Sequence, residues 1–385
     1  MARTRLFASL CGLVFFLNLA RIVFAPLVDV FITEFAIGEA TAGLIVTLVW
    51  IGSASLRLPT GWVLTRVRRH RVVLVSGGIL AVSSAVTASA VTVPQLMVGG
   101  FCMGVASGVY FVSANPLLSE LYPARVGHVM GIHGASSQAA AVIAAPFVAL
   151  TLLVDWRLSL WTIAVGASIL TIYTWFAAKG TEMPRAGKED RDFVAGALSE
   201  WRIILTGLAL VGTTVLIWQG IFNFYELYMQ SKGLSDWWAG AMLTLLFAAG
   251  IPAFLFGGDL ADRLPYVWYL LAISGTFATI LLLLTLATGA VPLLVLTIAL
   301  GFVVHAVYPA TDTFLLDTLP NETRASAYAV FSTAWMLTHS LGSYILGLVL
   351  EQGYAYDQVF TVAALFLGAT VVLLGLLEWT GRLPS

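Results

Sequence analysis

Apolar residues in this chain fall in blocks, not in a strand-like alternation. Stretches of about twenty apolar residues recur from end to end, each closed by a short polar or charged segment. The hydrocarbon core of a bilayer takes about 20 residues of helix to cross. A helix in lipid also satisfies its backbone donors and acceptors internally. The pattern therefore predicts twelve membrane-spanning helices. In the first half they cover 6–31, 41–64, 72–91, 95–117, 128–153 and 157–178; in the second, 203–229, 237–257, 266–287, 291–315, 327–350 and 359–377. The links at Pro94 and Gly289 leave room only for hairpins. The longest polar stretch, Lys179 to Arg202, contains KGTEMPRAGKEDRD and reads as a linker. The expected organisation is a six-helix unit at 1–178, a cytoplasmic linker at 179–201 and a second six-helix unit at 202–385.

Composition agrees with lipid as the solvent. The chain is 59% hydrophobic and 10% charged, whereas a soluble domain carries about 25% charged residues. The net charge of −1 gives no field that would favour nucleic acid. Cys11 and Cys102 both sit in apolar runs and read as packing residues, with no disulfide or metal framework. The first twenty residues resemble a signal peptide, with Arg3 and Arg5 before an apolar core. No small-x-small cleavage site follows, so the segment reads as an uncleaved first span.

Orientation follows from loop charge. With both termini cytoplasmic, fifteen arginines and lysines between Arg3 and Arg382 lie on the inner side, against Arg157 and Lys232 outside. Trp62, Trp156, Trp201, Trp237, Trp238, Trp268 and Trp379 fall near span ends, where amphipathic rings prefer to sit. A multi-pass protein of the cell membrane is expected.

Two phrases repeat. GWVLTR runs from Gly61 to Arg66 and GDLADR from Gly258 to Arg263, 197 residues apart; LLSELYPAR begins at Leu117 and LLDTLPNETR at Leu315, 198 apart. Two echoes at nearly one offset indicate an internal duplication. Both copies of the first phrase close the second span of their half. There they resemble the loop signature of the major facilitator superfamily, G-x-L-A-D-R-x-G-R-R. The second copy is the better match. The first has Thr65 in place of the aspartate and Arg68 in place of a glycine, while Arg66, Arg69 and Arg71 keep its basic character.

The resemblance spans the chain. It implies an all-α integral membrane protein, twelve helices in two pseudo-symmetric six-helix bundles that rock to expose a central site alternately to each side. It also implies a gate at the repeated phrase: Gly61, Thr65 and Arg66 with Glu120 in the first half, and Gly258, Asp262 and Arg263 with Asp317 in the second. Two other family signatures are absent. Gly100 stands where many proton-linked members carry an arginine, and Ala144-Ala145-Pro146 replaces the exporters' Gly-Pro phrase.

In that family spans 1, 4, 7 and 10 line the cavity. Polar groups inside the hydrocarbon layer are expensive and are functional candidates by default. The cavity candidates are Asn18 and Arg21, Tyr110 and Asn115, Gln219, Asn223 and Glu226, and His305 and Tyr308. Arg21 suits a carboxylate or phosphate on the cargo. Gln219, Asn223 and Glu226 have the spacing of one helical face, as do His305, Tyr308 and Asp312. Glu226, His305, Asp312 and His133 are candidates for carrying a coupling proton.

The expected function is secondary transport of a small organic solute, an anionic one being the choice that Arg21 favours, with a proton gradient as driving force and no cofactor or metal. Membrane lipid and the solute are the expected partners of a monomer. An uncoupled facilitator, a multidrug exporter and a non-transporting membrane sensor are the alternatives. Neither a nucleotide-binding phosphate loop nor an HExxH or GxSxG phrase is present, which argues against an ATP-driven pump or an enzyme.

Overall fold

The computed structural model describes residues 2–64, 66–181, 198–261, 263–320 and 323–383. The linker prediction falls largely on 182–197, and Thr65 and Asp262 also lie outside the described residues. Among those described, every regular element is helical, and twelve helices are long and apolar enough to cross a membrane.

The chain divides into two units, one of Met1–Ile37 and Leu44–Asp190, the other of Gly38–Gly43 and Arg191–Ser385. In the first unit, apart from residues 39–43 at the start of α3, the spans are α1 (Ala2–Ile22) with α2 (Phe24–Glu34), α3 (Glu39–Ser55) with α4 (Arg57–Val63), α5 (Arg69–Ala88), α6 (Val93–Leu121), α7 (Val126–Leu152) and α8 (Arg157–Lys179). In the second they are α9 (Trp201–Asn223) with α10 (Tyr225–Ser231), α11 (Asp236–Ala248) with α12 (Gly250–Ala261), α13 (Tyr266–Leu286), α14 (Ala290–Thr318), α15 (Arg324–Ser340) with α16 (Gly342–Glu351), and α17 (Tyr356–Trp379). The ends fall within a few residues of the sequence reading. Spans 1, 2, 7, 8 and 11 are each interrupted at one residue; in span 7 the helix stops at Asn223, and Phe224 separates it from α10.

Local chemistry explains the tight links. At the start of α6 the Gln95 carboxamide accepts the backbone N–H groups of Val91 (2.8 Å) and Thr92 (3.2 Å), and Pro94 occupies the first turn, where its missing N–H costs nothing. Before α14 the hairpin turns on Gly289 at φ 82°, a conformation that glycine adopts without penalty. Apolar side chains such as Val82, Val165, Ile169, Phe366 and Leu373 remain exposed on the helices, as lipid-facing positions should. The inner faces are packed, the second unit around Leu210, Val211, Leu270, Phe314 and Phe331.

The duplication is visible in the packing. A Cβ on Gly104 of α6 would overlap the carbonyl oxygen of Val49 in α3, and a Cβ on Gly301 of α14 would overlap that of Leu246 in α11. Both residues of this close crossing recur at an offset of 197. In the first unit the contact extends along Gly100, Gly104 and Gly108, a small-residue stripe that lets two backbones touch. Gly100 itself faces Val49 and Phe24, whose nearest atoms would lie 3.1 and 3.3 Å from a Cβ there. A side chain added at Gly100 would press on both of these neighbours.

Candidate functional site

In the first unit, Arg21 is 7% exposed near the end of α1. Its guanidinium carbon lies 4.8 Å from the ring centre of Trp50 and 5.1 Å from that of Phe111. Its NH2 donates to Asn18 Oδ1 at 2.5 Å, while Asn18 Nδ2 donates to the Ser137 carbonyl at 2.7 Å. A carbonyl only accepts, so Ser137 fixes the Asn18 amide with its oxygen toward the cation. The i, i+3 spacing read from sequence thus becomes a charge-assisted bond that orients the guanidinium against two aromatic rings.

The second unit builds an equivalent cluster with different side chains. Trp218, Phe247 and Tyr308 stand 197 residues after Arg21, Trp50 and Phe111. They surround His305, which stands 197 after Gly108 and is 4% exposed. Ring centres of Trp218, Phe247, Phe254 and Tyr308 lie 5.6, 5.8, 6.0 and 6.1 Å from the imidazole. His305 Nδ1 is 2.7 Å from the Gly301 carbonyl oxygen. That oxygen cannot donate, so Nδ1 carries the proton and the neutral ring presents Nε2 as an acceptor. Trp335 extends the cluster, 5.5 Å from Tyr308.

The remaining candidates separate by environment. Tyr110 is fully buried; its hydroxyl donates to the Leu10 carbonyl at 2.6 Å and lies 3.1 Å from His133 Nε2. Its one proton is committed, so His133 must donate. The chain His133–Tyr110–Leu10 ends on a helix carbonyl, which offers no onward route for a proton. Both residues tie α1, α6 and α7 together, and the structure places neither in the open.

Gln219 and Asn223 are buried on α9, packed against span 11. Asn223 Nδ2 donates to the Gln219 carbonyl (2.8 Å) and to Ser343 Oγ (3.0 Å), while both amide atoms of Gln219 and Oδ1 of Asn223 have no partner among the described residues. Asn115 is half-buried, with Oδ1 likewise unsatisfied. Glu226 lies past the break at Phe224, on α10, where its carboxylate faces Gly240 of span 8. Asp312 leaves the His305 and Tyr308 cluster as well: it accepts the Tyr328 hydroxyl at 2.7 Å, linking spans 10 and 11.

At the repeated phrase, Glu120 pairs with Arg69 at 2.9 Å, not with Arg66 as expected. Arg69 opens α5 and points along it toward the end of α6, whereas the Arg66 guanidinium lies 3.9 Å over the Trp62 ring. Asp317 accepts the Tyr266 hydroxyl. Gly61 and Gly258 lie in α4 and α12, and Arg263 in the turn that follows α12. Among the described residues no cluster of His, Cys, Asp and Glu has the makings of a metal site.

Trp50, Phe111, Trp218, Phe247, Phe254 and Trp335 escaped the sequence reading because it looked for polar groups. The 197-residue offset, applied to the polar candidates Arg21 and Tyr308, leads to Trp218 and Phe111.

These features define a multi-pass membrane protein of duplicated architecture. The family model for the Major Facilitator Superfamily matches residues 10–343 and again 239–384, and the chain belongs to that family of transporters. Its fold is similar to that of a bacterial homologue of the human lysosomal transporter Spinster. The inward-facing, occupied form of that protein aligns with TM-score 0.80 at 14% identity over 98% of each chain. The inward-facing, unoccupied form gives 0.74 at 14% identity over 97% of this chain and 95% of the other. No curated protein matches by sequence.

Proposed function

We propose that this protein is a secondary active transporter that carries a small organic solute with an acidic group by alternating access, driven by a proton gradient. The observation that carries the reading is Arg21. A guanidinium inside a membrane helix costs several kcal/mol unless it has a use, and here Asn18 aims it between two aromatic rings. A carboxylate or phosphate is the natural counterpart of such a fork. The unsatisfied amide atoms of Gln219, Asn223 and Asn115 add support, since buried polar groups ordinarily find partners. Asp312, half-buried and accepting the Tyr328 hydroxyl, is the strongest candidate for the coupling proton. The protein would act as a monomer in the cell membrane, with both termini cytoplasmic.

The test is uptake into proteoliposomes of a panel of aliphatic and aromatic carboxylates, read by mass spectrometry under an imposed pH gradient. Accumulation against a concentration gradient is expected, and mere equilibration would instead indicate a facilitator. Arg21→Ala should abolish uptake in protein that still folds and inserts. Unchanged uptake would remove the role assigned to it.

A further inference from the structure

We propose that the second unit reads a hydroxyl group on the cargo, carried on an aromatic or similarly flat apolar body, with His305 Nε2 accepting its proton and the Trp335 indole N–H supplying the complementary donor. The inference rests on the reading of this cluster as one half of a transport site.

Three observations carry it. First, the Gly301 carbonyl holds the proton of neutral His305 on Nδ1, and among the described residues nothing hydrogen-bonds Nε2. Nε2 is not among the buried unsatisfied atoms, so this acceptor keeps accessible surface and is open to a donor from outside the chain. Second, Trp335 Nε1 is buried without an acceptor among the described residues, although buried tryptophans ordinarily find one. Both groups border Tyr308, at 6.1 and 5.5 Å between ring centres. Third, four aromatic rings stand around His305, and Phe254 and Tyr308 are the least buried of them. Offset or edge contacts with such walls favour a flat apolar body.

The chemistry of the two orphan groups selects the polar part. A carboxylate only accepts and would leave Nε2 unsatisfied. An ammonium only donates, leaves the indole unsatisfied, and must also lose its hydration. A hydroxyl donates and accepts and so matches both groups. The first unit offers no such pair: Gly108 stands at the place of His305, and the cluster there is built around a cation.

The experiment uses the full chain purified in detergent, with its five histidines labelled with nitrogen-15. The probes are benzyl alcohol, benzylamine, benzoate and toluene. Nitrogen NMR reports the tautomer directly in the wild type. A His305 signal with the proton on Nδ1 supports the proposal, and a proton on Nε2 overturns it whatever the variants do. Binding is followed by quenching of tryptophan fluorescence, since Trp218 lies 5.6 Å from His305. Each probe is compared between wild type and His305→Phe, so that partition into micelles cancels. Loss of one hydrogen bond predicts that benzyl alcohol binds about two- to tenfold more weakly to the variant while toluene is unchanged. Equal changes for both probes, or tighter wild-type binding of benzylamine or benzoate than of benzyl alcohol, would overturn the assignment. Transport is scored separately. Solute uptake without a hydroxyl preference defeats this proposal alone. A hydroxyl preference in protein that moves no solute defeats the transport reading and leaves the chemistry of the half-site standing.

Discussion

Tyr110→Phe isolates the work of one hydroxyl. That oxygen donates to the Leu10 carbonyl at 2.6 Å and accepts from His133 Nε2 at 3.1 Å. Its removal leaves Leu10 O with its helical bond, but strands the His133 N–H at a site that is 2% exposed. A stranded buried donor costs about 1–3 kcal/mol, and hydrogen bonds between membrane helices average about 0.6 with a maximum of about 1.7 kcal/mol. The expected destabilisation is therefore about 1–2 kcal/mol. His133→Phe should cost only about 0.5 kcal/mol: the rings stack at 5.8 Å and 17°, a phenyl can keep that contact, and Tyr110 still donates to Leu10. In the double variant no donor is stranded, so its loss should fall below the sum of the two by about 1 kcal/mol. Thermal unfolding in detergent, followed by circular dichroism, reads this as a Tm lowered by several degrees for Tyr110→Phe and by less for the double variant. Strict additivity would refute the hydrogen-bond chain. Loss of gradient-driven uptake in His133→Phe would refute the conclusion that this histidine is not on the proton path.

Glycine substitutions should separate touching helices from open ones: Gly104→Ala drives a methyl into the Val49 carbonyl and should cost about 1–3 kcal/mol, whereas Gly78→Ala meets nothing within 4 Å and should gain up to about 1 kcal/mol, both read as shifts in Tm. The Arg69–Glu120 pair is partly exposed, with side chains 19% and 33% accessible, so its loss should cost under about 1 kcal/mol. A double-mutant cycle should show coupling between positions 69 and 120 and none between 66 and 120; the reverse result would reinstate the partner expected from sequence.

The helices were legible because lipid leaves the backbone few options. Apolar length alone located twelve spans. Side-chain direction was not legible. The spacing of Gln219, Asn223 and Glu226 reads as one face of a continuous helix, and it gave no sign of the break at Phe224 that puts Glu226 on α10. Tyr110 is a cavity candidate by its span, and its hydrogen bonds to Leu10 and His133 could not be read from sequence, because the rotation of α6 about its axis is set by packing. Arg66 and Arg69 lie three residues apart in a basic run, and only the start of α5 decides which of them reaches Glu120. Arg21 with Asn18 could be anticipated because both lie on one uninterrupted helix, whereas the aromatic walls could not be told from ordinary packing by residue type alone.

The matched crossings at Gly104 and Gly301 have an evolutionary consequence. After duplication the contact between backbones was kept in both copies, while a neighbouring position on the same helix drifted from glycine at 108 to histidine at 305, or the reverse. Frame and lining are inherited as separable traits. Selection for a new cargo can act on one copy's lining without reopening the question of how that copy folds, and the other copy remains as an ancestral reference against which each change can be judged.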